Sequence, residues 1–141
     1  MTVKVRLDDR RLVALPAALE RLADQICNKA AKNIETRAKI KIQSPPKTGR
    51  IYRHGNVEHQ ASAPGEAPAT DTGNLVNSIA SDRVRPMLHE VTVGAEYSSC
   101  LEYGTSRMAP RPFFRPSFDE ERDGFKREVD KLIGLARERV R

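Results

Sequence analysis

"IASDRVRPMLHEVTVG", residues 79–94, decides the fold. IASDRVR and LHEVTVG read as two strands that turn near Pro86-Met87, and a short turn makes the pair antiparallel. The period of two puts His89, Val91 and Val93 on one face of the second strand. At the chain start, TVKVRL alternates Val3, Val5 and Leu7 with Thr2, Lys4 and Arg6, which predicts a further half-buried strand. Asp8 or Asp9 then offers an N-cap. Leu12, Leu15, Leu19, Leu22 and Ile26 recur at helical spacing and continue through Ala30 and Ile34. This is one apolar stripe on a long helix, with Pro16 tolerated close to its start. Basic residues crowd the far end, where positive charge suits the helix dipole, and SPP at 44–46 stops it.

Downstream of the strand pair, EYSSCLEYG (96–104) predicts a short helix closed by Gly104, with Tyr97 and Leu101 inward. TSRMAPRPFFRP (105–116) is expected to be non-helical because of Pro110, Pro112 and Pro116. Ser117 or Asp119 then starts a last helix. Its stripe is Phe118, Phe125, Val129, Leu132, Ile133, Ala136 and Val140, weakened by about 1 kcal/mol at each of Gly124 and Gly134 relative to Ala. Upstream, Asp71 or Thr72 can cap a helix of about two turns carrying Leu75, Val76 and Ile79. The class is α+β: a small antiparallel sheet with long N-terminal and C-terminal helices, in a single domain over 1–141.

Hydrophobic residues make up 38% and charged residues 31%, with no Trp, so the expected core is modest. No run approaches the ~20 apolar residues of a bilayer span, and MTVKVRLDDRR lacks the apolar stretch of a signal peptide. A soluble protein made in the cytoplasm is expected, with no membrane partner. Cys27 and Cys100 share no metal or redox spacing and read as reduced, semi-buried thiols. The net charge of +6 is uneven. Between residues 29 and 53, Lys29, Lys32, Arg37, Lys39, Lys41, Lys47, Arg50 and Arg53 face only Glu35. Such an excess suits phosphate, an acidic protein face, or simply a solvated helix surface.

Residues 50–70 have almost nothing with which to fill a core. IYRH and VEHQ flank Gly55-Asn56, a pair suited to a primed hairpin turn. Neither arm has a clean apolar face, and a two-stranded ribbon is at best marginal alone. ASAPGEAPAT (61–70) should run extended with little structure of its own. The expectation is an arm over about 47–70, held by something outside the monomer's core. Its contacting residues would be Ile51, Tyr52, His54, Gly55, Asn56 and Val57.

Asp71-Thr72-Gly73 has the composition of an aspartic-protease triplet, whose chemistry needs the Asp at the end of a buried apolar strand. EAPAT before it cannot make that strand, and helix capping explains Asp71 as well. His54 and His59 lie across the hairpin, but zinc would need two further ligands that no nearby pattern supplies. His89 reads as a core-edge histidine. No strand and helix enclose a Gly-rich phosphate loop, and no nucleophile–base pair is visible. No catalytic residue, metal, cofactor or small-molecule substrate is expected. Phe113 and Phe114, held stiffly between prolines, either fill the chain's own core or anchor a neighbouring subunit.

KTGRIYRHG (47–55), SAPGEAPATDTGNLVNSI (62–79) and EYSSCLEYGTSRMAPRPFFRPSF (96–118) together resemble the head–tail joining family of long-tailed bacteriophages. This is the neck, tail-component or tail-completion group of the gene product ten type of HK ninety-seven-like phages. The terminal helices match by position and pattern only. The matching positions are Gly65, Asp71, Thr72, Gly73, Leu75, Ser78 and Ile79, then Leu101, Glu102, Tyr103, Gly104 and Thr105, then Arg111, Pro112, Phe113 and Phe114. The resemblance implies a non-enzymatic structural protein in the virion neck. It implies a homo-oligomeric ring (a hexamer, with a dodecamer as the alternative) between an adjacent neck ring and the tail tube, with DNA passing through. Lys47, Arg50 and Arg53 would then line the lumen or meet an acidic ring. The other readings are a small basic nucleic-acid-binding protein and, behind it, the aspartic protease.

Overall fold

The computed structural model describes residues 1–7, 17–44 and 46–139. Its elements are β1 (Thr2–Arg6), α1 (Ala17–Gln43), β2 (Ile51–His54), β3 (Val57–Gln60), α2 (Asn74–Asn77), β4 (Ile79–Arg85), β5 (Leu88–Val93), α3 (Ser98–Tyr103) and α4 (Phe114–Arg139). The fold is α+β, with two long helices around a small antiparallel sheet. The expected cap at Asp8 or Asp9, the stripe positions Leu12 and Leu15, Pro16 and Val140 lie outside the described residues.

The sheet has the order β1-β5-β4. In β5, His89, Val91 and Val93 are buried, and the registers Val5↔His89 and Ile79↔Val93 bring Val5 and Ile79 onto the same face. The opposite face carries polar residues such as the Lys4–Glu90 pair. One face is therefore dry, and α1 covers it. Ala23, Ala30, Ala31 and Ala38 are almost fully buried along α1, beside Ile26, Ile34 and Ile42. Short side chains let neighbouring elements approach closely, and α1 is contacted both by the sheet and by α4. This apolar surface is wider than the single stripe the sequence suggested, because two neighbours need it.

Polar side chains fix how α1 meets the sheet. Asp24 accepts from the Met87 amide at 2.9 Å, faces His89 Nε2 at 3.2 Å and pairs with Arg83 at 3.0 Å. Burial pushes the Asp24 carboxyl up, but these hydrogen bonds outweigh it and hold it below its ordinary value. Farther along α1, Glu35 takes hydrogen bonds from Lys39, Lys32 and the Ser81 hydroxyl of β4. Burial opposes ionisation of Glu35, yet these three donors bring it down to about 2. Cys27 is buried and its thiol is pushed up to about 11, first by desolvation and then by the Asp24 charge. Cys100 is exposed rather than semi-buried, because it lies on the outer side of a six-residue helix.

The basic surface of α1 meets an acidic surface inside the same chain. Lys29 pairs with Glu128, Arg37 with Glu120 and Glu121, and Lys41 with Glu120, while Asn33 donates to Glu121 at 2.9 Å. The partner numbers fall as the α1 numbers rise, so the helices run antiparallel. The exposed pairs contribute little each, but Glu121 is buried and its two partners set the register.

Three local expectations change. α4 begins at Phe114, not at Ser117 or Asp119, and includes Pro116 in its first turn, where a missing N–H costs no intrahelical bond. α2 is a single turn, and Ile79 already belongs to β4. Tyr97 stands at the N-cap of α3 and is exposed, not inward, while Leu101 is half-buried. No helix of the described residues is long and apolar enough to cross a membrane.

Because Glu35 titrates lower in the folded chain than its ordinary 4.5, its contribution is fully present above pH 4.5 and is lost as pH falls towards 2. Urea midpoints measured between pH 6 and pH 2 should fall across that window. Glu35→Gln should lower stability at pH 6 and flatten the acid limb. An unchanged limb in the variant would mean that Glu35 does not hold β4 to α1.

Candidate assembly surface

A buried carboxylate organises the region that carries the proline-rich motif. Glu102, in the last turn of α3, is 4% exposed. Its Oε2 accepts from the amides of Phe113 and Phe114 at 3.0 Å, and its Oε1 from Arg115 at 2.7 Å. These N–H groups have no partner within the first turn of α4, so Glu102 caps that helix from a different element. Beside it, the Arg111 amide donates to the Leu101 carbonyl at 2.7 Å, and Thr105 and Met108 pair across the turn after Gly104. LEYGT and RPFF are thus two halves of one joint. The sequence hid this because capping patterns are sought within a helix start, and here the acid sits eleven residues before Phe113.

The joint settles where the aromatics go. Phe113 and Phe114 are 0% and 2% exposed, 6.3 Å apart between ring centroids, and fill the chain's own core. They are unavailable as anchors in a neighbouring subunit. Leu75 and Ile79 are also buried, and Ser78 bonds back to Leu75 and receives the Gly94 amide. Pro112 is half-buried, whereas Tyr103 and Thr105 are exposed. Most positions in the resembling motifs therefore build the domain rather than its outside.

Residues 61–70 do not run free. The Glu66 carboxylate accepts from the Thr48 amide and hydroxyl and from the Ala63 amide. Lys47 donates to the Lys41 carbonyl at the end of α1 and to the Ala67 carbonyl, at 3.0 and 2.8 Å. The Gly65 amide reaches the Pro110 carbonyl, and Pro68 and Ser62 are buried. This strap lies against the body because it satisfies its polar groups there, without needing an apolar face. Gly49 lies against it so closely that a Cβ would meet the Ser62 and Ala61 carbonyl oxygens at 2.6 and 2.7 Å. Lys47 is consequently committed inside the chain, and burial lowers its pKa from the ordinary 10.5. It is not a free lumen-facing cation. Arg50 is exposed, and Arg53 makes an exposed cross-strand pair with Glu58 at 3.4 Å.

What remains projecting is the hairpin β2–β3, shorter than the arm expected over 47–70. Its two-residue turn is Gly55-Asn56, with Gly55 at φ 64 as a primed turn requires. The register places Ile51, Arg53, Glu58 and Gln60 on one face and Tyr52, His54, Val57 and His59 on the other. Ile51, Tyr52 and Val57 remain 62%, 40% and 58% exposed.

The second face is held by Asp71. His59 Nε2 lies 3.1 Å from Oδ1, His54 Nδ1 lies 3.4 Å from Oδ2, and the Tyr52 hydroxyl lies 3.4 Å from Oδ2. Asp71 does not cap α2: Gly73 takes the N-cap position with φ 77, and it is the other candidate, Thr72, whose hydroxyl accepts from the first helical amide, Asn74, at 3.4 Å. Nor does Asp71 end a buried strand; it lies in an exposed bend between the strap and α2. Tyr52, Asp71, Thr72, Tyr97, Leu101 and Arg111 border a cavity of about 320 Å³ beneath the hairpin, together with Ser62. Ser62 Oγ and Arg111 Nε are buried there without a hydrogen-bond partner among the described residues.

Comparison of the chain with family models, curated proteins and solved structures gives no match.

Glu102→Ala should destabilise the protein by about 3 kcal/mol in urea unfolding, since three charge-assisted bonds are lost and two buried amides stay unpaired. Tyr103→Ala, beside it but exposed, should stay within about 0.5 kcal/mol. Equal effects in the two variants would show that the cap is not what holds α4.

Proposed function

We propose that this chain is a structural connector of a long-tailed bacteriophage neck. It forms a ring that joins the DNA-filled head to the tail, with the β2–β3 hairpin received by the next subunit or the next ring. The observation that carries this reading is the hairpin itself. It exposes Ile51, Tyr52 and Val57 on a ribbon bonded through its side chains to the body at Asp71. A two-stranded ribbon with apolar residues facing water gains stability by covering them, and a heterologous, head-to-tail contact is what closes a ring. The motif resemblance over 44–118 points to the same class. Exposed Tyr97 and Tyr103 add aromatic surface of the kind that concentrates binding energy.

A hexameric ring is favoured, with a dodecamer as the alternative, located in the virion between an adjacent neck ring and the tail tube. Contact with passing DNA in this reading is weak and sequence-blind, and falls to Arg50 and Arg53. The alternative of a basic nucleic-acid-binding protein is less favoured because Lys29, Arg37 and Lys41 are paired with acids of α4. The aspartic protease is least favoured, since Asp71 lacks the low-dielectric strand end which that chemistry needs.

Replacing residues 51–60 by a Gly-Gly turn should leave a folded chain that melts within about 4 °C of the parent, because the hairpin contributes nothing to the core. Phage carrying this variant should accumulate filled heads and separate tails. Infectious, joined particles at parental yield would overturn the proposal.

A further inference from the structure

We propose that His54, His59 and Asp71 form a binding site for a divalent transition-metal ion, which locks the hairpin to the segment ahead of α2. This goes beyond the connector reading and stands or falls without it. One donor atom from each residue lies within 4.8 Å of the other two. His59 Nε2 lies 3.1 Å from Asp71 Oδ1 and His54 Nδ1 lies 3.4 Å from Oδ2, so both imidazoles face the two oxygens of one carboxylate at separations close to those between ligands of a shared ion. Ligands ~2.1 Å from a tetrahedral metal stand about 3.4 Å apart. Two imidazoles and one carboxylate are a donor set suited to Zn²⁺, Co²⁺ or Ni²⁺ rather than to the all-oxygen preference of Ca²⁺ and Mg²⁺.

The surroundings support the ligands. His54 and His59 are diagonal neighbours on one face of the ribbon, so a two-residue turn brings them together across the strands. Tyr52 stacks on the His59 ring with centroids 5.8 Å apart, and its hydroxyl touches Asp71, which steadies both donors. Through Tyr52 and Asp71 the site adjoins the cavity that Ser62 and Arg111 also line. Three protein ligands leave at least one position for water or for a donor from another molecule. The two histidines are only five residues apart, whereas Asp71 comes from the other side of the strap. An ion held by all three therefore fixes the direction in which the hairpin points.

The test is titration of the full chain with Zn²⁺ alone by calorimetry, with Co²⁺ as an optical probe. One equivalent should bind, and His54→Ala, His59→Ala and Asp71→Asn should each weaken it at least tenfold. The bound Co²⁺ should show visible d–d bands without the near-ultraviolet charge transfer that the exposed Cys100 thiolate would give. Zn²⁺ should slow tryptic cleavage after Arg53 severalfold in the parent and not in the variants. His54 is 67% exposed, so its variant keeps the fold even if His59→Ala does not. No binding, binding that survives the histidine variants, or a thiolate band would overturn the site.

Discussion

Three backbone amides at the start of α4 converge on one buried carboxylate, and much of the architecture follows from that. Glu102 fixes where α4 begins and so lets Pro112 and Pro116 flank a helix start that prolines would otherwise leave ill-defined. It places Phe113 and Phe114 in the core and sets α4 along α1, where Glu120, Glu121 and Glu128 meet the basic side of that helix. The same joint presents the Pro110 carbonyl to the Gly65 amide, so it also seats the strap.

Local charge in the sequence has two different meanings here. The run of lysines and arginines over 29–53 looks like a surface waiting for an anion, yet most of it is answered within the chain: Glu35 on α1 and three acids on α4. Lys47 is answered by carbonyls. The large apolar side chains left exposed include Ile51, Tyr52, Val57, Tyr97 and Tyr103, so the surface is less charged than composition suggested.

The periodic elements were legible in the residues. The alternation through His89, Val91 and Val93, the turn at Pro86-Met87, the stripe from Leu19 to Ile34 and the Gly55-Asn56 hairpin follow from short-range geometry, and the chain adopts them. The parts that escaped are bonds between segments far apart in sequence. Glu102 caps a helix from outside it, Glu66 and Lys47 tie a polar strap to the body, and Asp71 serves the hairpin instead of α2. None of these acids and lysines differs in its local pattern from a solvated residue. Asp71 departs from its expected role for a clear reason: an Asp just ahead of a short helix is a good cap, unless an intervening glycine takes the N-cap position in the left-handed conformation, as Gly73 does two residues later.

The central division is between a strap bonded along its backbone to the body and a hairpin that meets the body through the side chains of Tyr52, His54 and His59 at Asp71. Amide hydrogen exchange of the isolated chain, followed residue by residue, reads that division directly. Amides of 51–60 should exchange orders of magnitude faster than the Glu66-bound amides of Thr48 and Ala63 and than α4, and the proposed ring predicts that they become protected on assembly. A hairpin as protected in the isolated chain as α1, or one that stays unprotected in the assembly, would contradict it.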